Sequence, residues 1–318
     1  MQYRHLGRSG LAVSEIGLGT WLTLGSSVDA AGTREIVHRA YDLGVNLFDT
    51  ADVYSDGDCE LALGRAIAEL PRRHLVIATK AFFPASDRPN DRGLSRKHLF
   101  ESVETSLRRL GTDYLDLHQA HRFDPETPLE ETLRAYEDLI RQGKVLYWGV
   151  SLWTTDQVEA ACTMATDRGG LAPVSEQSLY SIVRRDIEAE HLGACESAGL
   201  SQLIFSPLAQ GVLSGKYGGG ARPADARAAD PQRSVFMNDY LDDALLARVD
   251  ALRPIAADLG LTMSQLALAW CLRKTAIAST LVGVTRLAQL EDNVGASGVA
   301  LPAEAVKRID EILPGPAS

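Results

Sequence analysis

Cysteine is scarce and scattered: among 318 residues there are four, Cys59, Cys162, Cys195 and Cys271, with no C-x-x-C pair. That spacing argues against a disulfide scaffold. A chain of this length stabilises itself by core burial, so a reducing, cytoplasmic setting is expected. Long apolar runs are also missing. The longest uncharged one, Leu261 to Leu272, is interrupted by Thr262, Ser264 and Gln265 and falls well short of the roughly 20 residues a membrane span needs. The first residues, Met1-Gln2-Tyr3-Arg4-His5, lack the basic-then-apolar order of a secretory leader, so no membrane association is expected. Positive charge is in deficit: 32 Lys+Arg against 42 Asp+Glu leave a net charge of −10. Such a balance disfavours a phosphate-tracking surface and hence a nucleic-acid partner, while leaving room for a local basic pocket. With 27 Gly and 13 Pro, neither a collagen-like nor a disordered chain fits.

What is present is an alternation of short β-branched or apolar runs with longer stretches of helical period. Strands are expected at Ser14 to Leu18, Asn46 to Asp49, Leu75 to Lys80, Tyr114 to Gln119, Val145 to Ser151, Val174 to Gln177, Gln202 to Phe205 and Thr280 to Gly283. Between them, Ala30 to Leu43 has Ile36, Val37, Ala40 and Leu43 on one face, with Gly44 to end it. Ser95 to Leu110 repeats the design, with Ser95 as cap and Gly111 as terminator. Eight strand–helix units suggest a closed (β/α)8 TIM barrel, which leaves no sheet edge. The competitor is an open doubly wound sheet. Against it, Gly17-Leu18-Gly19-Thr20-Trp21 lacks the third glycine and the immediate helix of the dinucleotide fingerprint.

Ahead of the first strand, Tyr3 to Leu6 and Leu11 to Val13 flank Gly7-Arg8-Ser9-Gly10, a hairpin placed to plug the barrel bottom. Residues Gly215 to Pro231, with Gly218-Gly219-Gly220, are the least patterned and read as a mobile excursion after the seventh barrel strand. No other stretch resembles a linker, so residues 1–318 are taken as one domain.

In such a barrel the reactive groups belong at the strand carboxyl ends, where Asp49, Lys80, His121 and Ser151 fall. Tyr54 follows Asp49 by five residues, close enough to return over the barrel mouth. A phenol is a poor acid or base at neutral pH, but a neighbouring ammonium favours the phenolate, and a carboxylate holds that ammonium charged and oriented. Asp49, Tyr54 and Lys80 form such a trio, to which His121 adds a donor for a carbonyl oxygen. The alternative is a structural Asp49–Lys80 ion pair with Tyr54 and His121 at the surface.

Ordered motifs then carry a resemblance over nearly the whole chain. They include Gly17-Leu18-Gly19-Thr20-Trp21, Phe48-Asp49-Thr50-Ala51 with Tyr54, Ala78-Thr79-Lys80, Ser106-Leu107-Arg108-Arg109-Leu110, Asp113-Tyr114-Leu115-Asp116-Leu117 and His121-Arg122 with Asp124. Later come Gly149-Val150-Ser151, Glu176-Gln177, Ser206-Pro207-Leu208-Ala209, Ser214-Gly215-Lys216-Tyr217, and Gly283 with Gln289-Leu290 and Asn293. The sequence resembles the aldo-keto reductases, most of all the branch of potassium-channel beta subunits and their bacterial relatives.

The resemblance implies reversible hydride exchange between a nicotinamide coenzyme and a small-molecule carbonyl substrate. Tyr54 would be the general acid, Lys80 and Asp49 would tune it, and His121 would orient the carbonyl. Channel beta subunits carry Asn where His121 stands, which favours an active reductase over a mainly regulatory subunit. His118, where many relatives have an aromatic, is a departure; it is taken as a wall residue and no metal is assigned to it. Thr20 and Trp21 would sit beside the nicotinamide ribose and the substrate, Ser151 and Gln177 would bind the carboxamide, and Tyr180 would stack on the nicotinamide unless it is an ordinary core aromatic. Ser206, Pro207, Leu208, Ala209, Gln210 and Lys216 would line the pyrophosphate, with Asp49, Phe205 and Gly283 as further coenzyme contacts. Thr285, Arg286, Gln289, Asp292 and Asn293 would hold the adenosine end. Independently, Thr285-Arg286 opens a helix after the last strand, a setting that suits phosphate. A guanidinium grips a 2′-phosphate bidentately, so Arg286 points to NADPH/NADP+ over NADH, the alternative being a solvated helix-start arginine. Trp153, just past a strand tip, is a substrate-contact candidate, whereas Trp270 follows a helical apolar stripe and reads as core. The competing function is a coenzyme-binding regulatory subunit; a homo-oligomer is compatible with either.

Overall fold

The hairpin forms as expected. In the computed structural model, which describes residues 1–218 and 234–316, β1 (Tyr3–His5) pairs antiparallel with β2 (Ala12–Ser14). Gly7 turns it with φ +58°, and a Cβ there would meet the carbonyl oxygens of Val174 and Gly199 at 2.4 Å, so only glycine lets the turn press against the sheet end. Leu6 and Val13 project from the hairpin into one apolar cluster with Leu47, Val76, Leu117 and Leu203. The barrel bottom is thereby plugged.

Eight parallel strands close into a barrel in chain order: β3 (Ile16–Gly19), β4 (Leu47–Asp49), β5 (Val76–Ala81), β6 (Leu115–Ala120), β7 (Val145–Ser151), β8 (Ser175–Leu179), β9 (Ser201–Phe205) and β10 (Ile277–Val282). The α-helices of the described residues are α1 (Ala30–Asp42), α2 (Asp58–Ile67), α3 (Arg96–Leu110), α4 (Leu129–Arg141), α5 (Thr155–Asp167), α6 (His191–Ala198), α7 (Asp243–Asp250), α8 (Arg253–Asp258), α9 (Met263–Leu272), α10 (Leu287–Val294) and α11 (Ala303–Ile312). This is a (β/α)8 barrel. Most strand bounds shift from expectation by one or two residues, and the start of the last shifts by three. Ser14 belongs to the hairpin, so the first barrel strand starts at Ile16, and the last begins three residues early because Ile277 already pairs with Gln202 of β9.

Local sequence explains the helices. Ser95 accepts from the His98 backbone N–H at 3.2 Å and Gly111 takes φ +65° beyond Leu110, so α3 is capped at both ends, a start worth about 1 kcal/mol. Leu99, Val103, Leu107 and Leu110 are buried on its inner face, each contributing roughly 1.5–3 kcal/mol. Capping boxes at Thr154 with Gln157 and Thr262 with Gln265 start α5 and α9. No single helix of the described residues is long and apolar enough to cross a membrane. All four cysteines are unpaired. Of the segment expected to be mobile, residues 219–231 lie outside the described residues.

Candidate active site

Strand ends deliver the reactive groups to one point. β4 ends at Asp49, and its neighbour β5 carries Lys80. The Lys80 ammonium is fully enclosed and donates to Asp49 Oδ1 at 2.6 Å, to the Thr50 carbonyl at 2.8 Å and to the Tyr54 hydroxyl at 3.4 Å. Tyr54 opens a tight turn in which Ser55 and Asp56 are left-handed (φ 49° and 54°) and Gly57 has φ +96°. Two non-glycine residues in that region cost of order 1–3 kcal/mol each and need support. It comes from Arg109 on α3, which donates to the Asp52 carbonyl at 3.0 Å and to Glu60 at 3.1 Å. Its guanidinium packs so closely on Gly57 that a Cβ there would lie 2.3 Å from Arg109 Cζ. The Ser106 to Leu110 motif thus clamps the turn that presents the phenol.

His121, just past β6, stands edge-on to the Tyr54 ring (centroids 5.8 Å apart, 75°) and to Phe83 (4.9 Å, 81°). Asp49 Oδ2 accepts from Gln177 at 2.9 Å and Gln119 at 3.2 Å. Asp49, Gln119 and Gln177 come from alternate strands β4, β6 and β8, as one interior layer of such a barrel does, but the layer is polar and converges on a carboxylate. Gln119 is a site residue that sequence reasoning missed. Its signal was the period-2 spacing from Leu117, which packs in the interior cluster with Leu47 and Val76.

Charge states follow from burial. Burial is the largest influence on Tyr54 and raises it above the usual phenol range, against the opposing pull of Lys80. The expected net tilt toward phenolate is therefore corrected: the phenol stays protonated. Burial opposes the Lys80 ammonium, yet Asp49 and Tyr54 together hold it above the usual range. His121 is pushed down to about 2, first by burial and then by Lys80 and Arg122, so its ring is neutral at pH 7. His118 faces away from the barrel interior, with Nδ1 3.0 Å from the Tyr136 hydroxyl, and burial brings it down to about 3. It is a packed wall residue behind the site.

The site opens into a cavity of about 830 Å³. Asp49, Tyr54, His121 and Trp21 line its inner end, and so do Ser151 and Gln177. Phe205, Ser206, Pro207, Leu208, Gln210 and Lys216 form one long wall; Gly283, Thr285, Arg286, Gln289, Asp292 and Asn293 form the far end. There α10 begins at Leu287 with Arg286 as N-cap and no side chain capping it, which leaves first-turn N–H groups to meet an anion. The donor set fits an elongated polyphosphate ligand with an uncharged polar head at the inner end.

Four expected contacts are not brought to the cavity. Tyr180 is fully buried, stacked on Trp270 (5.2 Å, 26°), with its hydroxyl donating to Glu188 and accepting from Arg273 at 3.1 Å. It is a core aromatic, and Phe205 is the ring that this region presents to the cavity instead. Trp153 is 3% exposed and packs edge-on against Phe123 at 4.9 Å, so it does not reach a substrate position in this structure. Thr20 is buried with its hydroxyl on Thr50 at 2.9 Å, and Ala209 is buried under the loop it belongs to. In the other direction, Phe83 and Arg122 line the cavity without having been singled out; both follow strand ends by two or three residues, which was the available signal.

Comparison with known proteins gives matches over most of the chain. The sequence profile of the Aldo/keto reductase family matches residues 15–314. A protein of Arabidopsis thaliana named "Probable voltage-gated potassium channel subunit beta" is 42% identical over 302 residues, covering 94% of this chain and 92% of the relative. Its namesake in Oryza sativa subsp. japonica is 40% identical over 318 residues, covering 98% and 97%.

Proposed function

The chain belongs to the aldo/keto reductase family, and from that premise we propose that it is a single-domain cytoplasmic enzyme that reversibly reduces aldehydes or ketones to alcohols with NADPH. The observation that carries this is the assembly of Asp49, Lys80, Tyr54 and His121 at the inner end of a cavity whose outer end gathers Lys216, Arg286 and the start of α10.

When bound, the coenzyme would supply the hydride that reduces the carbonyl carbon. Tyr54, kept protonated by burial, gives its proton to the carbonyl oxygen as that oxygen becomes the alcohol. Lys80, held charged by Asp49, stabilises the phenolate left behind. Asp49 is itself held by two amide donors, so the buried ion pair has its remaining lone pairs occupied. Neutral His121 donates an N–H to the same oxygen and fixes the direction in which it faces Tyr54. Ser151 and Gln177 would hold the carboxamide, Phe205 and Trp21 would flank the nicotinamide, and Lys216 would meet the pyrophosphate. Arg286 would grip the 2′-phosphate.

NADPH oxidation with a panel of aromatic and aliphatic aldehydes, wild type against Tyr54→Phe, tests the proposal. Turnover by wild type and its loss in the variant are expected; tight NADPH binding without turnover of any aldehyde overturns it. The relatives are named as channel subunits, which favours as a second reading a regulatory subunit; bound coenzyme without turnover is its signature.

A further inference from the structure

A second cavity of about 570 Å³ adjoins the first. The two share Val53 and Phe83, neighbours of the reacting groups, and share none of the residues toward the phosphate end. Phe83 forms the partition. Its ring is edge-on to Phe82 at 5.3 Å and to His121 at 4.9 Å, with the Arg122 guanidinium 5.3 Å from its centroid. Beyond it, Ala85 lines one wall from the β5–α3 loop, and Phe100, Ser102 and Thr105 line the other from α3.

Two titratable groups in the wall of this chamber are buried. The Asp52 carboxyl accepts from Ser102 at 2.8 Å and is pushed up to about 7, chiefly by burial. His98 is buried and lowered for the same reason. Asp52 Oδ1 and His98 Nε2, enclosed in the wall, have no hydrogen-bond partner among the described residues. Of the other charged lining residues, Glu101 and Arg108 are exposed, Asp91 and Glu104 are half-buried and held by Ser86 and Lys144, and Arg109 is engaged by Glu60 and the Asp52 carbonyl. With these charges exposed or partnered, the surface left to a ligand is that of Val53, Phe83, Ala85 and Phe100, which suits a hydrocarbon segment rather than an ion.

We propose that this chamber receives the tail of the carbonyl substrate, so that the preferred substrates are aldehydes or ketones with an aliphatic or aryl extension that passes Phe83. The inference rests on the reductase assignment above and deepens it to a substrate class. With coenzyme occupying the long wall and far end, a carbonyl held between Tyr54 and His121 has Phe83 beside it, and the direction past Phe83 leads into the chamber. Each methylene moved from water into it adds about fourfold in affinity.

The test compares kcat/KM for straight-chain aldehydes from propanal to decanal in wild type, Thr105→Trp and Ala85→Trp, which fill the chamber from opposite walls away from Tyr54. NADPH binding by each variant verifies folding. In parallel, titration calorimetry measures binding of 1-alkanols of the same lengths to the NADP+-loaded proteins. The expected result is a decanal-to-propanal ratio of about a hundredfold or more in wild type, collapsing at least tenfold in a folded Trp variant, with alkanol affinity following the same pattern. A flat wild-type series, or a length preference that survives both Trp variants, overturns the chamber even if aldehydes are reduced. Absence of turnover with every aldehyde overturns the reductase assignment, and the alkanol series then decides the chamber: length-dependent affinity lost in the Trp variants supports it, and a flat series ends it.

Discussion

The inner and outer ends of the main cavity are built on opposite principles. At the inner end Asp49, Lys80, His121 and Gln177 lie on or just past barrel strands, are at most 6% exposed, and are tied to one another or to the barrel by hydrogen bonds. At the outer end Lys216, Thr285 and Arg286 are exposed. The loop between them and the barrel holds Ser206, Ala209 and Gln210 in left-handed conformations with φ of 54°, 47° and 58°. A group that must transfer a proton needs a fixed position and a shifted ionisation, which burial provides. A group that must capture a charged ligand from water needs access and a field, which exposed cations and a helix start provide. The exposed cations of the cavity are gathered where a polyphosphate would enter, whereas the cation at the proton-transfer end, Lys80, is enclosed and paired with Asp49.

Substitutions at the two ends are expected to fail differently. Tyr54→Phe gives the largest effect, a fall in kcat/KM of about a thousandfold, with NADPH affinity within about threefold of wild type; a coenzyme affinity that falls in parallel would show the ends to be one unit. Arg286→Ala comes next: NADPH binding weakens about tenfold to a hundredfold while NADH binding stays within about threefold, and equal weakening of both sinks the 2′-phosphate assignment. Asp52, in the wall of the neighbouring chamber, supplies a pH signature. Its folded-state carboxyl titrates at about 7 against 3.8 unfolded, so the folded state holds the extra proton between these values and stability falls as pH rises through that window. Asp52→Asn therefore flattens the decline of Tm between pH 5 and pH 8, and an unchanged slope places the titration elsewhere. The smallest effects belong to the core aromatics. Tyr180→Phe is expected to cost about 1 kcal/mol of stability, and Trp153→Phe to leave steady-state NADPH oxidation within about threefold; a tenfold rise in KM in either would return that residue to the cavity.

The eight strands were legible because each is a short apolar run bounded by turn residues; most bounds moved by a residue or two, and the largest shift came where Ile277 pairs with β9. The tetrad was legible because Asp49, Lys80 and His121 are polar residues at or just past strand ends. Gln119 was not, since an amide inside a strand looks like any other interior position until three strands converge on Asp49 Oδ2. Tyr180 and Trp153 were misplaced for a related reason: residues just past a strand end can turn toward the mouth or toward the helices, and contacts with Trp270 and Phe123 took them to the core.

The sequence by itself determined the alternation of strands and helices, the hairpin, the caps at Ser95 and Gly111, and the identity of the groups at the strand ends, because these depend on residues close in the chain. Tertiary structure alone decided that burial outweighs Lys80 in setting the state of Tyr54, that Phe205 rather than Tyr180 faces the cavity, and that a second chamber opens beside Phe83. Desolvation, side-chain direction and cavity shape are each set by groups tens to hundreds of residues apart, and they acquire values only when the barrel closes.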